Sequence, residues 1–214
     1  IGKAVAAARG VDYIILCIGE NSYCETPGNL DELTLSENQT ELALTLQQTG
    51  KPVILVLNEG RPRLIHRIEP GAKAVLQLYL PGNFGADALA DILSGEVNPS
   101  GRLPYTYPKF EQGLITYDHK PSQNIQGVMA GAYDYGAQTS VQYPFGFGLS
   151  YTTFTYENLR TDLTEFTADD LITVSVDVTN SGAQAGKEAV LLFSSDKVAS
   201  LSPDVRRLRA FEKI

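Results

Sequence analysis

Gly19 to Leu33 holds the residues best suited to chemistry: Glu20, Glu25, Asp31 and Glu32 share it with Asn21, Ser22, Asn29, two glycines and Pro27. A carboxyl group can donate or take a proton beside a bound ligand, yet the ordinary fate of an acidic loop residue is solvation, so position must decide. This loop follows the apolar run Asp12-Tyr13-Ile14-Ile15-Leu16-Cys17-Ile18-Gly19. In an open parallel sheet, ligands bind beyond the carboxyl ends of the strands, which raises Glu20 and Glu25 above the other acids.

Two further loops belong to the same edge. Asn58-Glu59-Gly60-Arg61-Pro62 follows the run Pro52 to Asn58, and Leu80 to Asp87 follows Ala74 to Leu80. The glycines of the third loop do not form a phosphate-cradling motif, so nucleotide binding is not expected. A G-x-S-x-G elbow is absent and neither His66 nor His119 is placed to serve one, which argues against a serine triad; no Cys/His cluster has metal-ligand spacing. No cofactor is implied. Cys17 and Cys24 are read as free thiols, with a disulfide between them as the alternative.

The elements that must position these loops alternate strand and helix. The three apolar runs read as parallel strands buried on both faces. Between the first two, Ser36 and Gln39 have capping-box spacing and open a helix that stops at Gly50. Gly85 to Leu93 is a further helix. The result is an α/β fold, a three-layer α/β sandwich with a mostly parallel sheet over residues 1–110. Residues 111–152 are rich in Pro, Gly and Tyr and read as a linker. From 153 to 214 the alternation of Ile172 to Thr179, then Ala189 to Phe193 and Val205 to Ile214, reads as antiparallel strands with Val174, Val176 and Val178 in the core. About four strands are expected against about seven in an immunoglobulin or fibronectin III-like β-sandwich, so that unit is read as incomplete. Ile1 opens inside a helix and Ile214 closes inside a strand, as a fragment would.

A formal net charge of −8 disfavours phosphate-rich partners, so neither nucleic acid nor an anionic membrane is expected. No apolar run approaches the roughly 20 residues that span a bilayer.

Several segments together resemble glycoside hydrolase family 3 of the β-glucosidase type. Gly19-Glu20, Tyr23-Cys24-Glu25, Gly28-Asn29, Leu33-Thr34-Leu35 and Gln39 resemble its acid/base loop; Gly60-Arg61-Pro62 resembles its G-R-P turn. Leu80 to Gly95 resembles its P-G helix segment, with Tyr79 where relatives carry Trp. Asn98-Pro99-Ser100-Gly101-Arg102-Leu103-Pro104 and Tyr143-Pro144-Phe145-Gly146-Phe147-Gly148-Leu149-Ser150-Tyr151-Thr152-Thr153-Phe154 match family motifs outright.

The resemblance implies a retaining, exo-acting enzyme that removes terminal β-D-glucosyl residues from oligosaccharides. Glu25 is then the general acid/base, with Glu20 the fallback, and the nucleophile comes from an N-terminal (β/α)8 barrel outside this chain. The implied partners are a glucoside or oligosaccharide substrate and that barrel, with a homodimer left open. The implied location is periplasmic or secreted. The alternatives are a β-xylosidase or other family 3 exo-glycosidase, or a non-catalytic carbohydrate-binding or interaction module. Arg61 and Arg102 are expected to hold loops, and Tyr143, Phe145, Phe147 and Tyr151 to pack the linker. Tyr133, Asp134 and Tyr135 are candidates for a contact to the barrel or a second subunit.

Overall fold

A computed structural model describes residues 1–23, 26–113, 115–121, 140–167 and 169–214. Glu25, Cys24, Tyr133, Asp134 and Tyr135 lie outside the described residues. Helix α1 (Gly2–Ala8) leads into strand β1 (Ile14–Gly19), followed by α2 (Glu37–Gln47), β2 (Val53–Asn58), β3 (Ala74–Gln77) and α3 (Gly85–Ser94). The three strands form a parallel sheet in the order β1-β2-β3, with Leu16 beside Leu55, and Ile18 beside Leu57 and then Gln77. An α/β unit of this kind therefore opens the chain.

The core lies on one face of that sheet. Leu16, Ile18, Val53, Leu55 and Leu57 point into it and meet Ala8 of α1, Ala43 and Leu46 of α2, and Ile65, Ile68 and Tyr107. The other face differs from the expectation of strands buried on both sides. On β1, Ile15 is 53% exposed and Cys17 is an exposed free thiol, whereas Val56 on β2 is buried. The reason is positional: β1 is an edge strand, and α1 and α2 both contribute to the core on its opposite face.

Helix α2 begins at Ser36, whose carbonyl accepts from the backbone N–H of Gln39 and Thr40, but whose side chain does not cap the helix. The capping-box spacing is thus put to another use. Gln39 Oε1 accepts from Gly19 N–H at 2.8 Å, and its Nε2 donates to Gly19 C=O at 3.0 Å, fastening the end of β1.

The chain then changes to antiparallel pairing. Short strand β4 (Tyr107–Pro108) pairs with β5 (Val141–Tyr143), a pairing that local sequence did not announce. Strand β6 (Phe154–Thr161) pairs with β7 (Val174–Asn180), and β8 (Ala189–Ser194) with β9 (Arg207–Lys213). These antiparallel pairs form the β-sandwich that follows the α/β unit. Val174 is exposed, and Val176 and Val178 are half-buried, so these three valines do not form the enclosed core expected of them.

The two outright motifs fasten to each other. Asn98 Oδ1 accepts from Ser150 Oγ and Tyr151 N–H, both at 2.8 Å, while its Nδ2 donates to Ala185 C=O at 2.9 Å. Leu103 N–H donates to Phe147 C=O, and Gly146 N–H returns a bond to Leu103 C=O, both at 2.8 Å. Arg102 pairs with Glu188 at 2.5 Å, and Tyr156 donates to the other oxygen of that carboxylate. Tyr143 stacks on Phe147 at 4.8 Å, and Phe145 on Tyr117 at 4.5 Å. These motifs hold the α/β unit to the strands that follow, as expected of Arg102 and the aromatic residues.

Candidate active-site loop

Three loops converge at the carboxyl edge of the sheet. Gly19 carries β1 into the first of them at φ 151, and a Cβ there would lie 2.1 Å from Asn58 C=O. Only glycine lets the loop leave β1 this close to β2. Glu20 N–H then donates to the same Asn58 carbonyl at 3.1 Å.

Glu20 turns back under the second loop, and its side chain is only 2% exposed. Oε2 accepts from the backbone N–H groups of Gly60 and Arg61 at 3.0 and 3.1 Å. Oε1 meets Arg61 Nε and Nη2, each at 2.8 Å, and Arg63 Nε and Nη2 at 3.1 and 3.0 Å. Burial alone would push this carboxyl up. The backbone and side-chain hydrogen bonds of Arg61, with the charges of Arg63 and Arg61, outweigh it and hold Glu20 below the ordinary carboxylate range.

The two arginines extend the grip to the rest of the first loop. Arg61 Nη1 donates to Gly28 C=O, and its guanidinium lies 3.8 Å from the centroid of the Tyr23 ring. Tyr23 packs against Gly28, and a Cβ on Gly60 would meet the Tyr23 hydroxyl at 2.3 Å. Arg63 Nη1 reaches the carbonyls of Glu32 and Thr34 at 3.1 and 3.3 Å. Arg61 thus holds both Tyr23 and Gly28 of the first loop. The described part of the loop lines a polar concavity of about 610 Å³ with Glu20, Asn21, Asn29, Asp31, Ser36 and Gln39 among its walls.

The second loop itself holds an acid to which sequence reading gave no role. Glu59 is fully buried. Its Oε1 lies 2.7 Å from the Tyr107 hydroxyl oxygen and accepts from Arg63 N–H at 3.2 Å. Its Oε2 has no partner among the described residues. Burial pushes its carboxyl up to about 7; the Tyr107 and Arg63 hydrogen bonds offset part of this, and the Glu20 charge adds to it. Its local sequence gave no signal of burial: like Glu20, it stands one residue past the end of a strand. From the third loop, Tyr79 adopts φ 58 and packs edge-on to Tyr105 at 6.4 Å.

The profile of the glycosyl hydrolase family 3 C-terminal domain matches residues 1–151. The chain belongs to glycosyl hydrolase family 3. It is 40% identical over 226 residues to a lysosomal β-glucosidase of Dictyostelium discoideum, and the match takes in all of this chain and 26% of that protein. A periplasmic β-glucosidase of Salmonella typhimurium is 34% identical over 220 residues, and a β-xylosidase of Formosa agariphila 36% over 214 residues. These matches take in 100% and 99% of this chain, and 29% of each relative. A crystal structure of a Listeria innocua β-glucosidase in complex with glucose superposes with a TM-score of 0.87 at 32% identity, covering all of this chain and 30% of that one. The family 3 chain described here therefore spans less than a third of the length of these relatives.

Proposed function

We propose that this chain is the part of a retaining, exo-acting family 3 β-glucosidase that supplies the general acid/base, Glu25, for removal of terminal β-D-glucosyl residues. Retaining glycosidases need two carboxyl groups about 5–5.5 Å apart, one attacking the sugar and one protonating the leaving oxygen before activating water. The nucleophile comes from the barrel that the rest of the enzyme provides, so the chain by itself does not turn over substrate. The relatives named periplasmic and lysosomal favour a place outside the cytoplasm.

The observation that carries the reading is the engagement of Glu20. An acid/base must exchange protons with the substrate, whereas Glu20 is buried, ion-paired and held ionised by Arg61 and Arg63. With the fallback Glu20 so engaged, the acid/base role stays with Glu25, the position that the family resemblance gives it. The whole enzyme carrying Glu25→Ala tests this. Hydrolysis of cellobiose should fall about 10²–10⁴-fold, with a smaller loss on an aryl glucoside whose leaving group needs no proton, and azide should restore turnover. Unchanged turnover on both substrates removes Glu25 from the mechanism. The Formosa agariphila relative supports a second reading, β-xylosidase, which the same variant assayed on aryl xyloside and glucoside separates.

A further inference from the structure

The Tyr107 hydroxyl has one hydrogen and two short acceptors. It lies 2.7 Å from Glu59 Oε1 and 2.6 Å from Arg63 C=O, and each contact needs a proton between its oxygens. Tyr107 can serve only one at a time. Both are made together only when Glu59 itself carries a proton, donating to Tyr107 Oη while Tyr107 donates to Arg63. A neutral acid also suits the remaining surroundings: Oε2 is buried without a partner among the described residues, where an ionised oxygen would be costly.

We propose that Glu59 is held as a neutral acid and that its proton, acting through Tyr107 and Arg63, positions the loop that carries Glu25. Glu59 is thus a positioning residue. Arg63 is gripped at its N–H by Glu59 and at its C=O by Tyr107, and its side chain holds Glu20 and the carbonyls of Glu32 and Thr34. Loss of the Glu59 proton turns the Tyr107 hydrogen toward the carboxylate and releases Arg63 C=O.

The charged and titratable groups facing Glu59 do not share its range. Glu20 is held low, and burial drives Tyr105 and Tyr107 upward. Glu59 is poised near neutrality, at about 7. Its value is raised above the ordinary 4.5, so the latch is complete in acid and is lost as the pH rises through about 7.

The catalytic importance of the latch rests on the acid/base role given to Glu25, so the test reads the loop rather than turnover. Tyr23, which lies against Gly60, Gly28 and Arg61, is the reporter. In the whole enzyme labelled with fluorotyrosine and assigned with Tyr23→Phe, its fluorine resonance should titrate with a midpoint near 7. In Glu59→Gln, whose amide nitrogen donates to Tyr107 at every pH but cannot accept from Arg63 N–H, the resonance should no longer titrate near neutrality. Tyr107→Phe should abolish the acid-side position at every pH. A resonance that is flat in the wild type, or that titrates unchanged in Glu59→Gln, overturns the proposal whatever Glu25 does. A titration that follows Glu59 in an enzyme whose Glu25→Ala variant keeps full activity supports the latch and overturns only the acid/base assignment.

Discussion

Glu20→Gln keeps the shape of the side chain and removes its charge. The carboxylate meets two backbone N–H groups on one oxygen and two guanidinium groups on the other. An amide can satisfy only one of these sets, because its NH2 end faces donors in either orientation. Breaking a buried pair by neutralising one member costs about 3–5 kcal/mol. Arg61 and Arg63 are 29% and 13% exposed and regain some hydration, so the lower end, about 3 kcal/mol, applies. Urea unfolding followed by far-UV circular dichroism measures it. With slopes of about 1–3 kcal/mol/M, the midpoint should fall by about 1–3 M at neutral pH. The sign with pH is fixed by the depressed carboxyl: its contribution is whole above the ordinary 4.5 and is lost as the pH falls through the folded value. The gap between wild type and variant must therefore narrow in acid. A midpoint shift below about 0.5 M at neutral pH, or a gap that persists undiminished to about pH 3, refutes the clasp as the anchor of this loop.

Two further substitutions test the frame around it. Gly19→Ala places a methyl group 2.1 Å from Asn58 C=O, a backbone atom that cannot rotate away. The strand end must shift, with an expected loss of about 2–4 kcal/mol by urea unfolding and a larger fall in kcat than in KM. Asn98→Ala removes three hydrogen bonds between the Asn98–Pro104 motif, the Ser150–Tyr151 segment and Ala185. Amide hydrogen exchange at Tyr151 should quicken by about 10-fold or more while exchange in β2 stays unchanged, as expected for a loss of roughly 1.5 kcal/mol confined to one junction.

Much of this architecture was legible in the residues alone. The runs Ile14 to Ile18 and Val53 to Leu57 became parallel strands because short unbroken apolar runs bounded by turn residues have few other places to go. Gly60-Arg61-Pro62 marked a turn, and Arg61 duly holds a loop. The failures are equally specific. Ser36 and Gln39 have capping-box spacing, yet Gln39 brackets Gly19, because local spacing cannot show that a strand end passes within hydrogen-bonding reach. The exposed face of β1 could not be inferred from Ile15 and Cys17, since an apolar strand reads the same whether helices cover one side or two.

Sequence by itself determined the family, the alternation of strands and helices, and the acidic loop at the sheet edge, because periodicity, turn residues and motif spacing are properties of neighbours along the chain. The different fates of its acids were decided only by tertiary structure. Glu20 and Glu59 are both glutamates one residue past a strand end, and nothing in their local sequence separates them. The fold gives Glu20 two arginines and two backbone N–H groups, and keeps it charged. Glu59 is buried with one tyrosine and one backbone N–H, and burial raises its carboxyl to about 7. A carboxyl's proton affinity follows the charges and dipoles within a few ångströms, and most of those arrive from residues 40 or more positions away.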